Sequence, residues 1–411
     1  MKRQITSPQP RFARGRFAAA RFTRLRGPIF AVLTVLAFAG SAWAADFNTA
    51  FAAFQAGNYQ AAVDEVSGYI EGAPNAWQGH WLLGMSLLKL GRSSEGLNSL
   101  RKAYDLDPNQ AQVQINLAQA YLENGRAADA AALLQRIAPS SLPASAQGAY
   151  NQLLAKALAD SGQGAAALAP LRQATQANPS DAKAQFAYGA AAQNAGELGA
   201  SIVALGKAVE LDGDNPTYLK AYVQALFMEG AQKSGDAGAA AYRKAIAPAQ
   251  QLVAVAPGYD STMKLGGAQL GAKDYGAAVN TFRQATQQSG AGWEPHFYLG
   301  QAYTMEGQYS NAIAALEQAK SRASSSDAQR MVWRQLGFVH EKQDNFEEAI
   351  QAYQQAGDSG AVSRVQQNQE TAEYNQQVEQ ENADAEARQQ EEERIKRELE
   401  ELPGGRRPDR R

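Results

Sequence analysis

An all-α array of about nine helix-turn-helix repeats is the architecture this sequence predicts. Small residues recur at a nearly fixed interval, at Ala62, Gly96, Ala130, Ala167, Ser201, Ala245, Ala278, Ala312 and Ala349, with spacings of 34, 34, 37, 34, 44, 33, 34 and 37. Each repeat holds two segments with apolar residues at helical spacing, as in Trp81, Leu83, Leu87 and Leu88, then Leu97, Leu100 and Ala103. The chain has no cysteine, so no disulfide or thiolate-bound metal braces it and helix stacking alone must hold it. At 411 residues a prior of two or three domains applies. A single helix pair cannot bury its apolar faces, however, so neighbours must stack into one elongated array over residues 45–357.

The N-terminal element is read from charge. Residues 1–44 carry eight basic residues (Lys2, Arg3, Arg11, Arg14, Arg16, Arg21, Arg24 and Arg26) and no acidic one. An uncharged apolar run from Pro28 to Gly40 follows, then Ala42, Trp43, Ala44 and Ala45. Basic region, apolar region and small residues at the exit make a secretory signal peptide, with cleavage expected between Ala44 and Ala45. The arginines are not paired and no cysteine follows, so the general secretory route is expected, without a lipid anchor. The alternative is an uncleaved segment anchoring the chain in the inner membrane. The expected location is the periplasm of a Gram-negative bacterium.

Within the repeats, Gly84 and its equivalents let two helix backbones approach closely. Gly57, Gly91, Gly125, Gly162, Gly196 and Gly307 fall between helices, where left-handed backbone geometry is needed. Pro74, Pro108, Pro179 and Pro257 close repeats, because proline cannot continue a helix interior. Lys273 stands where such a turn usually has glycine. A stretch of about ten extra residues, including Gly230–Gly238, interrupts the period. It either lengthens one helix pair or forms a surface loop, and the loop is the expectation because loops lengthen cheaply.

These motifs, namely Leu-Gly at Leu83 and Gly84, Tyr121, Gly307 with Tyr309 and Ala312, and proline at repeat ends, resemble the tetratricopeptide-repeat (TPR) family, exported bacterial type. The resemblance implies a right-handed superhelical solenoid with an inner groove lined by the first helix of each repeat. It also implies a binding role for that groove.

The C-terminal element changes composition. Residues 361–401 hold twelve acidic and five basic residues, a net of −7. Val362 and Val365 are expected to pack on the last repeat, so 358–402 reads as a capping helix continuing into an exposed charged one. Its apolar positions are too sparse for sustained heptads. Ile395, Leu399 and Leu402 form an alternative partner-binding stripe. Residues 403–411, with four arginines and one aspartate, are expected to be a disordered basic tail.

No catalytic pattern is present. His80 and His296 share one repeat position and His340 falls where Tyr121 and Tyr303 stand, so all three read as packing residues. Gly206 and Lys207 lack both the following Ser or Thr and the upstream glycine of a phosphate-binding loop. Without residues 1–44 the chain has 31 basic and 41 acidic residues and no basic stripe, which argues against nucleic acid. No enzyme activity, cofactor or metal is expected.

What remains is a peptide- or protein-binding scaffold in cell-envelope assembly or secretion. The resemblance carries the partner-binding groove onto Phe47, Asn48, Phe51, Phe54, Trp81, Met85, Leu88, Ile115, Asn116 and Gln119. The set suits a hydrophobic segment whose backbone is held by amides. The Lys and Arg of a carboxylate clamp are missing from it, so an acidic chaperone terminus is not implied. Phe51, Phe54, Trp81 and Leu88 have an equally open reading as packing between first helices. Farther along, Phe186 and Phe297 take the place of Trp81, and Phe338 that of Met85. The alternative function is a structural or oligomerising spacer that recruits partners by its C-terminal charged helix.

Overall fold

The computed structural model describes residues 42–401, with side chains from 46 to 398. Most of the segment expected to be a signal peptide, and the tail from residue 402, lie outside the described residues. Two compact bodies divide after Ala256. In the N-terminal body, α1 (Ala42–Gln55) pairs with α2 (Tyr59–Gly72), α3 (Trp77–Lys89) with α4 (Ser93–Leu106), and α5 (Ala111–Glu123) with α6 (Ala127–Leu134). There α7 (Ala144–Asp160) pairs with α8 (Leu168–Ala177), α9 (Ala182–Asn194) with α10 (Leu198–Leu211), and α11 (Pro216–Gln232) with α12 (Gly235–Val255). In the C-terminal body, α13 (Tyr259–Gly271) pairs with α14 (Tyr275–Thr286), α15 (Glu294–Met305) with α16 (Tyr309–Arg322), and α17 (Ser326–Lys342) with α18 (Phe346–Ala356). The last element, α19 (Ser359–Glu401), packs on α18. The expected cut between Ala44 and Ala45 falls in the first turn of α1.

The period has a steric origin. In most repeats a small residue of the first helix faces a large one sixteen positions later in the second. A Cβ on Gly84 would lie 2.7 Å from Leu100 Cγ, and one on Gly189, Gly266 or Gly300 would press on Leu205, Phe282 or Leu316 just as closely. Leu100, Leu205, Phe282 and Leu316 are fully buried. All nine small residues that mark the period are buried as well. Close backbone approach therefore fixes each pair before any surface residue matters.

Most turns share one geometry. In the α3–α4 turn the Gly91 N–H donates to Leu88 O and the Arg92 N–H to Leu87 O, closing the helix with a left-handed residue at Gly91, φ 78°. The glycines named from the sequence do the same at the other turns. Lys273, φ 67°, and Asp344, φ 57°, hold this conformation without being glycine, and the same bonds form around them.

The extra residues near 230–238 correct the expectation of a loop. They lengthen the helix pair: α11 runs 17 residues and α12 runs 21. The reason is tight packing, since a Cβ on Gly230 would come within 2.4 Å of the Tyr242 ring, and Gly238 lies against the carbonyls of Lys233 and Gly230. Pro248 sits inside α12, buried. Another spacing, 37 between Ala130 and Ala167, is taken up by the short 3-10 turns Pro139–Ser141 and Gly164–Ala167.

At the C-terminal end the first turns of α19 pack on the last repeat. Ala361 and Val365 are buried against Ala349 and Tyr353, and Val362 packs beside them. Beyond Ala372 every described α19 side chain except Val378 is exposed.

Candidate partner-binding face

First helices of consecutive repeats touch: α1 with α3, α3 with α5, α5 with α7 and α9 with α11 in the N-terminal body, and α13 with α15 and α15 with α17 in the C-terminal one. Second helices of consecutive repeats make no comparable contact among the described residues. Helices on the tighter side of a curved stack are the ones that meet, so first helices line the inner side within each body.

The ten predicted residues all lie on α1, α3 and α5, and the structure splits them. Trp81, Met85, Ile115 and Asn116 are 4%, 3%, 3% and 4% exposed and belong to the interior. Phe47, Phe51, Phe54, Leu88 and Gln119 are half-buried, and Asn48 is exposed. Trp81 thus lies in the interior of the stack, because neighbouring repeats bury what a single helix leaves bare. The same reason applies to Met85, Ile115 and Asn116, which no ligand reaches in this arrangement.

What stays accessible is an aromatic surface. Phe47 and Phe51 stack with centroids 6.2 Å apart, Phe47 tilts against Tyr69 at 5.4 Å, and Phe54 meets Tyr59 edge-on at 5.5 Å. Gln119 donates to Glu123 Oε1 at 3.1 Å on the same side of α5 as Leu122, which packs on this core. Two buried donors lack acceptors: Trp81 Nε1 and Asn116 Nδ2 are sealed from solvent and meet no partner. Asn116 is held only from its oxygen, which accepts from Gln112 Nε2 at 3.0 Å. A buried unpaired donor costs about 1–3 kcal/mol.

The other aromatic positions of the inner side are scattered. Phe186 stacks on Tyr218 at 4.8 Å, Phe297 meets Trp293 and Tyr298, and Lys342 lies over the Phe338 ring at 5.4 Å. Each is used locally.

The histidines differ. His80 Nε2 bonds to Pro74 O at 2.8 Å, tying α3 to the turn before it. His296 is half-buried, and burial and then Arg322 hold its pKa below the usual imidazole value. Among the described residues no group of three or more acidic or imidazole side chains is arranged to hold a metal.

The tetratricopeptide repeat pattern matches residues 82–149, 153–216 and 263–328, in both bodies. The chain carries tetratricopeptide repeats. Among solved structures it is similar to YrrB, described as a TPR protein with an unusual peptide-binding site, at 16% identity over 48% of this chain and 94% of that one, TM-score 0.41. It is also similar to MamA from Desulfovibrio magneticus RS-1, at 15% identity over 43% of this chain and 94% of that one, TM-score 0.36. A MamA from AMB-1 shows 20% identity over 41% and 98%, TM-score 0.38. At such identities and scores they say nothing about what this TPR chain binds. No curated protein matches the sequence.

The sequence missed a second concave feature. Trp333, Leu336 and His340 on α17 face Glu348, Gln351, Ala352 and Gln355 on α18 across a hollow. Spacings of three, four and seven on both helices were the available signal.

Proposed function

We infer that the chain is a non-catalytic scaffold that binds a peptide or protein segment on the inner side of its N-terminal body. The observation that carries this reading is the half-buried aromatic cluster of Phe47, Phe51 and Phe54 on α1. Apolar side chains of a partner would cover the rings, and the amides of Asn48 and Gln119 would hold its backbone. The accessible contact set is Phe47, Asn48, Phe51, Phe54, Leu88 and Gln119.

Export through the general secretory route to the periplasm, with a role in envelope assembly or secretion, belongs to the same reading. Its support is the basic, apolar and small-residue order of residues 1–45. An N-terminal sequence beginning at Ala45 on protein recovered from the cell supports cleavage, and one beginning at Met1 overturns it.

The groove is tested by photo-crosslinking in cells. A reactive residue at Leu88 or Gln119 should capture one partner, mapped by mass spectrometry, that is not captured from Val203, which is 75% exposed on α10. Identical products from all three sites would refute the inner face.

A second reading has its own support. From Glu379 to Glu398 every α19 side chain is exposed. Such a helix suits a spacer that recruits partners at a distance from the array.

A further inference from the structure

The hollow between α16, α17 and α18 has a volume of about 640 Å³, within the range of ligand-sized sites. Leu336 and Ala352 are buried at its floor, and Trp333 supplies an aromatic wall. Glu317 and Glu348 bring two carboxylates, and Gln351, Gln354 and Gln355 bring amides. His340 adds an Nδ1 that is sealed from solvent and meets no partner.

One internal contact reveals what this lining attracts. The Lys320 ammonium lies 4.4 Å from the Trp333 ring centroid and 2.5 Å from Glu317 Oε2. Indole and carboxylate already hold a cation, and Glu348 remains as a second anionic group. A guanidinium suits such a place better than an ammonium, because its plane stacks on indole while its edge bonds a carboxylate.

The chain itself carries such groups at its end: Arg406, Arg407, Arg410 and Arg411. They cannot come back to the hollow of their own molecule. The hollow ends at Gln355, only four residues before α19 begins at Ser359. The 43 residues of α19 rise about 64 Å at about 1.5 Å each. The ten residues that follow span at most about 35 Å fully extended.

We propose that this hollow docks the arginine-rich C-terminal segment of a second copy of the chain. Guanidinium groups stack on Trp333 and pair with Glu348 and Glu317, displacing or joining Lys320, while the glutamines bond the segment's backbone. The proposal uses only the C-terminal body and the chain end, so it stands apart from the partner face on α1, α3 and α5.

The test is fluorescence anisotropy of a labelled peptide spanning residues 402–411 titrated into the full chain at physiological salt. Saturable binding is expected, weakened at least fivefold by Glu348→Gln and tightened severalfold by Lys320→Ala, which vacates the indole face. A peptide with its four arginines replaced by glutamine should not bind. Sedimentation should show concentration-dependent self-association of the full chain that Glu348→Gln reduces. Absence of peptide binding, indifference to Glu348→Gln, loss with Glu381→Gln and Glu386→Gln on α19 instead, or a monomer at every concentration would each overturn it.

Discussion

Arg364 of α19 grips both oxygens of Glu341 on α17, with Nη2 donating to Oε2 at 2.9 Å and Nε to Oε1 at 3.3 Å. The Tyr353 hydroxyl of α18 donates to the same Oε2 at 2.9 Å, so one carboxylate ties three helices together. Burial and then this carboxylate hold the Tyr353 phenol far above the usual tyrosine range. Arg364→Ala should loosen the base of α19 by on the order of 1 kcal/mol, since the arginine is half-exposed. Hydrogen exchange at Val362–Gln366 should quicken about fivefold while α13 and α14 stay unchanged. Unaltered exchange at α19 would show that Val365 packing alone sets the cap.

Ser201 is fully buried in α10, and its hydroxyl meets no partner. The equivalent position in the other repeats is alanine or glycine. Ser201→Ala should therefore stabilise the α9–α10 pair by about 1 kcal/mol or more, through the removed desolvation penalty and better helix propensity. A raised denaturation midpoint is the readout, and a lowered one would mean that the hydroxyl is satisfied in solution.

Two helix-interior glycines should respond with opposite sign to alanine. A Cβ at Gly84 meets Leu100 and the Gly96 carbonyl at 2.7 and 3.0 Å, so Gly84→Ala must push α3 from α4 and lose about 1–3 kcal/mol. Gly68 in α2 has nothing within 4 Å of its virtual Cβ, and Gly68→Ala should gain about 1 kcal/mol. Thermal melts of both variants decide, and two changes of the same sign would undo the steric account.

For His296 the sign of the pH dependence follows from its lowered pKa. The unfolded chain takes up its proton near pH 6.5, before the folded one does. Its contribution to stability is full above about 6.5 and declines as the pH falls toward the folded-state value. His296→Gln should therefore lose less stability than the parent between pH 7.5 and 5.0. Parallel acid limbs in paired melts would contradict this.

Much of the fold could be read from residue order because its determinants are local. A glycine at a turn, a proline at a repeat end and a small residue twelve positions from another each report a backbone requirement inside one helix pair. Trp81, Met85, Ile115 and Asn116 show where such reading stops. Their burial depends on how neighbouring helices close over them, and no spacing within one helix encodes that. The Gly230–Gly238 stretch misled for a related reason: its composition suits a loop, whereas close contact with Tyr242 makes glycine necessary in a longer helix pair. The hollow beside Trp333 needed three helices in place, although its α17 and α18 positions each keep helical spacing.

Eight of the nine hairpins are closed by the same crossed backbone bonds, around Gly57, Gly91, Gly125, Gly162, Gly196, Lys273, Gly307 and Asp344. The α11–α12 hairpin is the exception: Lys233 donates to Glu229, and Lys233 and Ser234 at the bend are exposed. An affinity tag, a fluorophore-bearing cysteine or a short grafted epitope placed between Lys233 and Ser234 would leave every closing lock intact. That bend is thus the natural handle for following this chain in living cells without touching either proposed binding face.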